Sequence, residues 1–323
     1  MKARDLLLAA LMTCAACSTP MDAGVERNEG FRIFPGSFAA GRSPDGNTVV
    51  LDGRTGVIVF DTGRNASHAD RIIAYAKGRK RPVVAIINSH WHLDHISGNP
   101  ALREAFPGAA VYSHEPALAE ALAGFLAKGA QSNRDRLAEG KLNEGQRLDA
   151  QRDLATYKAR DRLHPTISLE TSRRLTIDGR TLDIHIAKGA SAGDIWVYDR
   201  RSGLAILGDL VTLPAPFLDT ACPAEWLKAL DEVLAQPFVS VAPGHGRMMA
   251  RADLRLYRDA FVELLECASS SSAAASCADR WSKAAGPLLD ESSGDIGQAR
   301  TYASYYVERV LRKPDARPAW CSP

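Results

Sequence analysis

The chain has 323 residues, a hydrophobic fraction of 46%, a charged fraction of 24% and a formal net charge of +2 at pH 7. These proportions suit a globular protein, and the near-neutral balance argues against a dedicated nucleic-acid surface. Beyond the N-terminal segment no apolar run reaches membrane-spanning length, and about 300 residues remain for one large domain or two small ones.

Met1-Lys2-Ala3-Arg4 is basic, Leu6 to Met12 is apolar, and small residues follow. That order predicts a secretory signal over residues 1–17, too short to span a bilayer. Cys14-Ala15-Ala16-Cys17-Ser18 resembles a bacterial lipoprotein cleavage box with Cys17 as the acylated residue. The expected location is the periplasm, free or lipid-anchored to the outer membrane. That anchor is the only membrane contact expected.

Residues 31 to 61 read as strands broken by turns. Thr48 to Leu51 and Gly56 to Phe60 flank the hairpin-like turn Asp52-Gly53-Arg54-Thr55. Ala69 to Lys77 reads as a helix, with His68 a solvated residue at its start. Val83-Val84-Ala85-Ile86-Ile87 is an apolar run bounded by polar residues, the pattern of a buried strand. At its end comes Asn88-Ser89-His90-Trp91-His92-Leu93-Asp94-His95. Three of the eight histidines fall within those last six residues. In extended backbone His90 and His92 leave the same side, and Asp94 and His95 face a second point close by. Imidazole and carboxylate are the donors that suit zinc and related divalent ions. A surface loop with chance histidines explains that density poorly.

Ala101 to Phe106 reads as a short helix. Ala110 to Ser113 reads as a strand ending at His114, a polar loop residue. Residues 116–162 form a helix-rich insertion whose charged stretch, Asn133 to Lys158, suits a solvated helix face. The functional alternative is a lid over a cleft. Strands resume at Arg174–Ile177, Thr181–Ala187, Asp194–Tyr198 and Leu204–Leu207. His185 reads as a half-exposed strand residue. Ala224 to Leu234 is a predicted helix, Phe238 to Ala242 a strand, and from Ala250 the chain is mostly helical. Cys222, Cys267, Cys277 and Cys321 allow three pairings. Cys267 and Cys277 flank a Ser/Ala-rich stretch, which favours a bridge between them and leaves Cys222 with Cys321. An oxidising compartment permits both.

Four motifs in order resemble the metallo-β-lactamase-fold metallohydrolases. The first is His90-x-His92-x-Asp94-His95. Val57 to Gly63 is similar to an early strand ending in D-T-G, and Leu207-Gly208-Asp209 to the strand ending in a metal-bridging aspartate. Val241-Ala242-Pro243-Gly244-His245-Gly246 is similar to the late turn that carries the last histidine. The resemblance implies an α+β fold, a four-layer αββα sandwich over residues 25–312, with residues 313–323 as a C-terminal tail. It implies one metal site from His90 and His92 and a second from Asp94, His95 and His245, with Asp209 bridging. One departure stands out. Where the family carries a further first-site histidine, this chain has Ala190, in Gly189-Ala190-Ser191-Ala192-Gly193-Asp194.

The expected cofactor is zinc, one or two ions, with iron or manganese also compatible with His/Asp donors. Coordination lowers the pKa of water from about 15.7 to about 7, which supplies hydroxide at neutral pH. The expected activity is an exported metal-dependent hydrolase that uses such a hydroxide on an ester, lactone, thioester, amide or phosphoester of a small-molecule substrate. Asp94 and Asp209 are the expected catalytic carboxylates. A true β-lactamase and a non-catalytic metal-containing binding protein are the alternatives. Asp209 argues against the first, since true lactamases usually carry Cys or Ser near that point. Asp61 is either an acceptor behind a ligand imidazole or a turn residue. Asp194 supports the metal shell or starts the next strand. The sequence specifies no oligomeric state.

Overall fold

The computed structural model describes residues 30–39, 41–290, 294–313, 315 and 318–321. The expected signal segment and the cleavage box that residues 14–18 resemble lie outside them. Twelve strands form two six-stranded sheets among the described residues. The first takes β1 (Phe31–Phe34), β2 (Thr48–Asp52), β3 (Val57–Phe60), β4 (Val83–Ile87), β5 (Ala110–Ser113) and β6 (Ile167–Ser168), paired in that order. The second takes β7 (Arg173–Ile177), β8 (Arg180–Ala187), β9 (Asp194–Asp199), β10 (Leu204–Ile206), β11 (Ser240–Ala242) and β12 (Met249–Ala250), also paired in sequence order.

Alternation of side chains fixes the layers. Val49 and Leu51, Ile58 and Phe60, and Ile195 and Val197 point into a core shared by the two sheets. Their neighbours point outward. Val50, Val57 and Val59 pack beneath α1 (Ala66–Gly78) and α3 (Asn99–Ala105) through Ile72, Ala76 and Leu102. Trp196 and Tyr198 pack beneath α7 (Pro223–Leu234), α8 (Arg251–Ser269) and α9 (Ala274–Ala284) through Trp226, Phe261 and Trp281. Both faces of both sheets are therefore covered, which is the αββα sandwich that the motifs imply. No helix among the described residues is long and apolar enough to cross a membrane. The bridges Cys222–Cys321 and Cys267–Cys277 are both formed, in keeping with an extracellular or periplasmic environment.

Connections place the functional segments. β3 runs parallel to β4, and β10 parallel to β11. The segments that leave their carboxyl ends therefore gather along one rim. Three helices between β5 and β6 stand over that rim: α4 (Glu115–Ala123), α5 (Phe125–Glu139) and α6 (Glu144–Lys158). A capping box on Asn143 and Gln146 starts α6.

One buried ion pair ties the sheets at the opposite end of β8. Arg180 Nε and Nη2 donate to the two oxygens of Asp199 at 3.0 and 2.5 Å, and Nη1 donates to the carbonyls of Gly30 and Asp52 at 2.7 and 2.9 Å. Both side chains are fully buried. Burial alone would raise the Asp199 carboxyl, but hydrogen bonds from Arg180 and Ser202 hold it below the ordinary range. The pair therefore stabilises at neutral pH, and its contribution is lost as pH falls below the ordinary carboxylate range and through the lower folded value. Arg180→Leu should destabilise the fold by about 3–5 kcal/mol, because Asp199 is left buried and unpaired. Denaturant unfolding at pH 7 checks this, and Arg180→Leu with Asp199→Leu should recover most of the loss.

Candidate metal centre

Just past β4 the side chain of Asn88 is buried. Its amide exchanges hydrogen bonds with that of Asn99, at 3.2 and 2.8 Å. The chain bends at Ser89, His90 and Trp91, and His92, in extended conformation, precedes the single-turn helix α2 (Leu93–Ile96). The rings of His90 and His92 consequently lie 4.4 Å apart, and His90 and His95 are equally close. Asp209 sits in a 3-10 turn just past β10, and His245 follows β11. Glycine is required twice here. Gly208 has φ 52°, and a Cβ there would collide with Ser89. A Cβ on Gly244 would collide with Asp209 Oδ1 and the backbone of Gly208.

Asp209 is common to two groups of donors. Asp94, His95, Asp209 and His245 form one, and His90, His92 and Asp209 the other, with the donor atoms of each within 4.8 Å of one another. Asp209 Oδ1 lies 3.1 Å from His95 Nε2 and 3.3 Å from His245 Nε2. Its Oδ2 lies 3.6 Å from His90 Nε2 and 4.0 Å from His92 Nδ1. One carboxylate thus presents one oxygen to each group. Asp94 Oδ2 is 3.2 Å from His245 Nε2 and 3.7 Å from His95 Nε2.

These residues fit a divalent ion. The Nε2 atoms of His90, His95 and His245 and both oxygens of Asp209 are buried without a hydrogen-bond partner. Each such orphan costs about 1–3 kcal/mol, and all five converge. A cation answers lone pairs of this kind, and the donor chemistry suits zinc, iron or manganese.

A surrounding network orients the rings; the tautomers are assigned from it. Asp61 Oδ2 lies 2.8 Å from His95 Nδ1 and accepts from Ser89 Oγ at 2.7 Å. Ser89 Oγ is in turn 2.9 Å from His90 Nδ1. Asp61 therefore holds two imidazoles with Nε2 facing the centre, and a third bond from Ser89 N at 2.7 Å fixes the carboxylate itself. Its φ of 59° makes it the turn residue as well. Thr220 does the same for His92. Its hydroxyl donates to Ala190 O at 2.8 Å and meets His92 Nε2 at 2.9 Å, leaving Nδ1 toward Asp209.

Ala190, where a histidine was expected, is thus two hydrogen bonds from the centre through its carbonyl. Asp194 starts β9 and accepts from Ser191 Oγ at 2.7 Å and Ser191 N at 3.2 Å. Burial pushes its carboxyl up to about 7. It braces the loop that carries Ala190.

Electrostatics favour donors without protons on the carboxylates. Burial alone would raise Asp94, but His95, His245 and Arg64 hold it well below the ordinary carboxylate range. Asp209 is depressed likewise, with His95 and His245 outweighing its burial. Burial would depress His245, but Asp209 and Asp94 outweigh it and hold the ring up to about 9.

The structure gathers His90, His92, Asp94, His95, Asp209 and His245 at one point and places Asp61 directly behind them. It corrects His68, which is buried rather than solvated. Its Nδ1 lies 3.0 Å from Asp45 and its Nε2 2.9 Å from Thr48. Asp45 comes from a turn 23 residues earlier, which no local pattern reveals. His114 accepts from Ala117 N and caps α4, and His185 stacks on Trp196 at 3.8 Å. Sequence reasoning missed Ser89 and Thr220. Ser89 could have been found from its place between Asn88 and His90. Thr220 lies 128 residues from His92 and carries no signal.

Comparison with known proteins agrees with this arrangement. A family model described as the metallo-beta-lactamase superfamily matches residues 43–266. No curated protein matches the chain. Among solved structures, a metallo-beta-lactamase family protein from Thermus thermophilus is similar at 18% identity and a TM-score of 0.56, covering 86% of this chain and 93% of its own. A metallo-beta-lactamase from Pontibacter korlensis is similar at 18% identity and a TM-score of 0.51, covering 73% of this chain and 94% of its own. At such identity the likeness is one of fold. With the family match spanning the sandwich and every donor of the centre, the chain belongs to the metallo-beta-lactamase superfamily.

Proposed function

We propose that the protein is an exported zinc-dependent hydrolase of a small-molecule ester, lactone or amide. The observation that carries this is the convergence of three orphaned imidazole nitrogens on the two orphaned oxygens of Asp209 at the floor of an open cleft. That cleft is a cavity of about 320 Å³ lined by His92 and Asp94. The disulfides and the N-terminal signal support export, with Cys17 as a lipid attachment point. A divalent ion, when bound, would supply a Lewis acid and an acidified water.

The chain's own residues divide the remaining work. His95, His245, Asp94 and Asp209 would hold one ion, and His90, His92 and Asp209 the other. Asp209 joins the two groups and stays ionised, so it can accept a hydrogen bond from a water between them. Asp94 borders the cleft and can align that water toward a carbonyl. Asp61 and Thr220 act through the imidazoles and keep their lone pairs on the centre.

The four-donor group should hold its ion more tightly than the three-donor group. Titration with a chelator, followed by metal analysis, should remove one ion at lower concentration than the other; equal loss would contradict the assignment. Asp209→Asn should lose metal and reduce turnover by more than the roughly 10–100-fold typical of an outer partner. Turnover is read on a chromogenic panel of esters, lactones, amides, phosphoesters and nitrocefin. Wild-type metal content and turnover in that variant would overturn the proposal, and nitrocefin as the best substrate would make the protein a β-lactamase. Thr220→Val should lower metal affinity or activity by about 10–100-fold while leaving the fold intact.

A further inference from the structure

The cleft above the centre is walled by rings. Trp91 and Phe125 stand 5.4 Å apart on the side of His92. Phe217 lies 5.3 Å from His245 on the other side, with Phe38 at 5.7 Å from it and Tyr302 5.3 Å from Phe38. Tyr306 completes this second wall.

Charge in the cleft is arranged unequally. Arg42 and Arg64 both line it, but the insertion neutralises each. Arg42 donates through Nε and Nη2 to Asp149 at 2.9 and 2.6 Å. Arg64 Nη1 donates to both oxygens of Asp153 at 2.9 and 2.8 Å, and its Nη2 lies 3.5 Å from Asp94. Each guanidinium is thus already charge-paired, although Arg42 stays partly exposed. Asp219 is the reverse case. It is exposed on the cleft wall. Tyr306 donates to its Oδ2 at 2.8 Å, and among the described residues no cation pairs with it. Burial and the charge of Asp219 push the Tyr306 phenol well up, so it remains a neutral donor. The adjoining recess, which Asp219 also borders, holds Glu120 and Lys128, of opposite charge.

A carboxylate set among aromatic faces attracts an organic cation twice, by charge and through the ring quadrupoles. An anion seated there would meet the charge of Asp219, while the two arginines of the cleft are already paired with carboxylates. We propose that the cleft selects substrates bearing an ammonium or quaternary ammonium group, seated at Asp219 between Phe217, Tyr302 and Tyr306, with an apolar stem along Trp91 and Phe125. The bond that is cut rests on the hydrolase reading above; the binding preference does not.

Isothermal titration of the full chain with benzyltrimethylammonium, benzyl alcohol and phenylacetate tests the preference directly. The cation should bind about tenfold more tightly than the neutral probe, and the anion most weakly. Asp219→Asn should erase the advantage of the cation, and Asp219→Lys should reverse the order of cation and anion. Unchanged melting temperatures would tie these effects to the site. Hydrolysis is followed in parallel with phenylacetylcholine and its neutral 3,3-dimethylbutyl isostere. The expected result is a higher kcat/KM for the choline ester in the wild type but not in Asp219→Asn. Equal binding of cation and anion, or a preference that survives Asp219→Asn, would overturn the inference. The binding order without hydrolysis of either ester or of any compound on the panel above would uphold it and count against the hydrolase reading.

Discussion

Asp209 is a buried carboxylate with no hydrogen-bond donor. Removing such a charge from water costs several kcal/mol after relaxation, and among the described residues only the neighbouring imidazoles are placed to offset it. His95 and His245 can do so only by holding protons, as the raised His245 indicates. A divalent ion does it better, because one cation meets both the carboxylate and the imidazole lone pairs. The rest of the rim follows from this demand. Gly208 and Gly244 let two strand ends close on one carboxylate. The parallel pairs β3–β4 and β10–β11 deliver their carboxyl ends to the same edge.

Asp61 extends the demand outward by one layer. It stands in the left-handed region without being glycine, an unfavourable conformation for most residues. The three hydrogen bonds to Ser89 and His95 hold it there. Strain of this kind persists only where surroundings over-determine it. The same bonds decide which nitrogen of His90 and His95 faces inward. Backbone geometry at the end of β3 and tautomer choice at the centre are therefore one problem with one solution.

The local parts of this arrangement were legible in the sequence, and the distant parts were not. Alternation in Ile195-Trp196-Val197-Tyr198 marks a strand with two covered faces. The histidine cluster is readable because its members share one short segment. The positions of Asp209 and His245 became readable only through resemblance, since spacing alone does not join residues more than a hundred apart. Thr220, the Asp45–His68 pair and the pairing of Arg64 with Asp153 left no trace, because each depends on tertiary contact between ordinary polar residues. Arg64 and Arg42 would even mislead. Two arginines beside a cleft suggest an anion site until the insertion's carboxylates are seen against them. The insertion reads as a solvated charged face, yet Asp149 and Asp153 are turned toward the sandwich.

The bridge from Cys222 to Cys321 has a consequence in time as well as in space. Cys222 follows Thr220, the residue that orients His92, by two positions. Pro318, Ala319 and Trp320, beside its partner, line the recess that adjoins the cleft with Trp91, Phe125 and Asp219. The histidine cluster is synthesised more than two hundred residues before that wall. All six donors of the floor therefore precede the outer wall along the chain, and that wall is tied down only when residue 321 and an oxidant are both present. In a reducing compartment that wall would lose its covalent tie to the segment that orients His92.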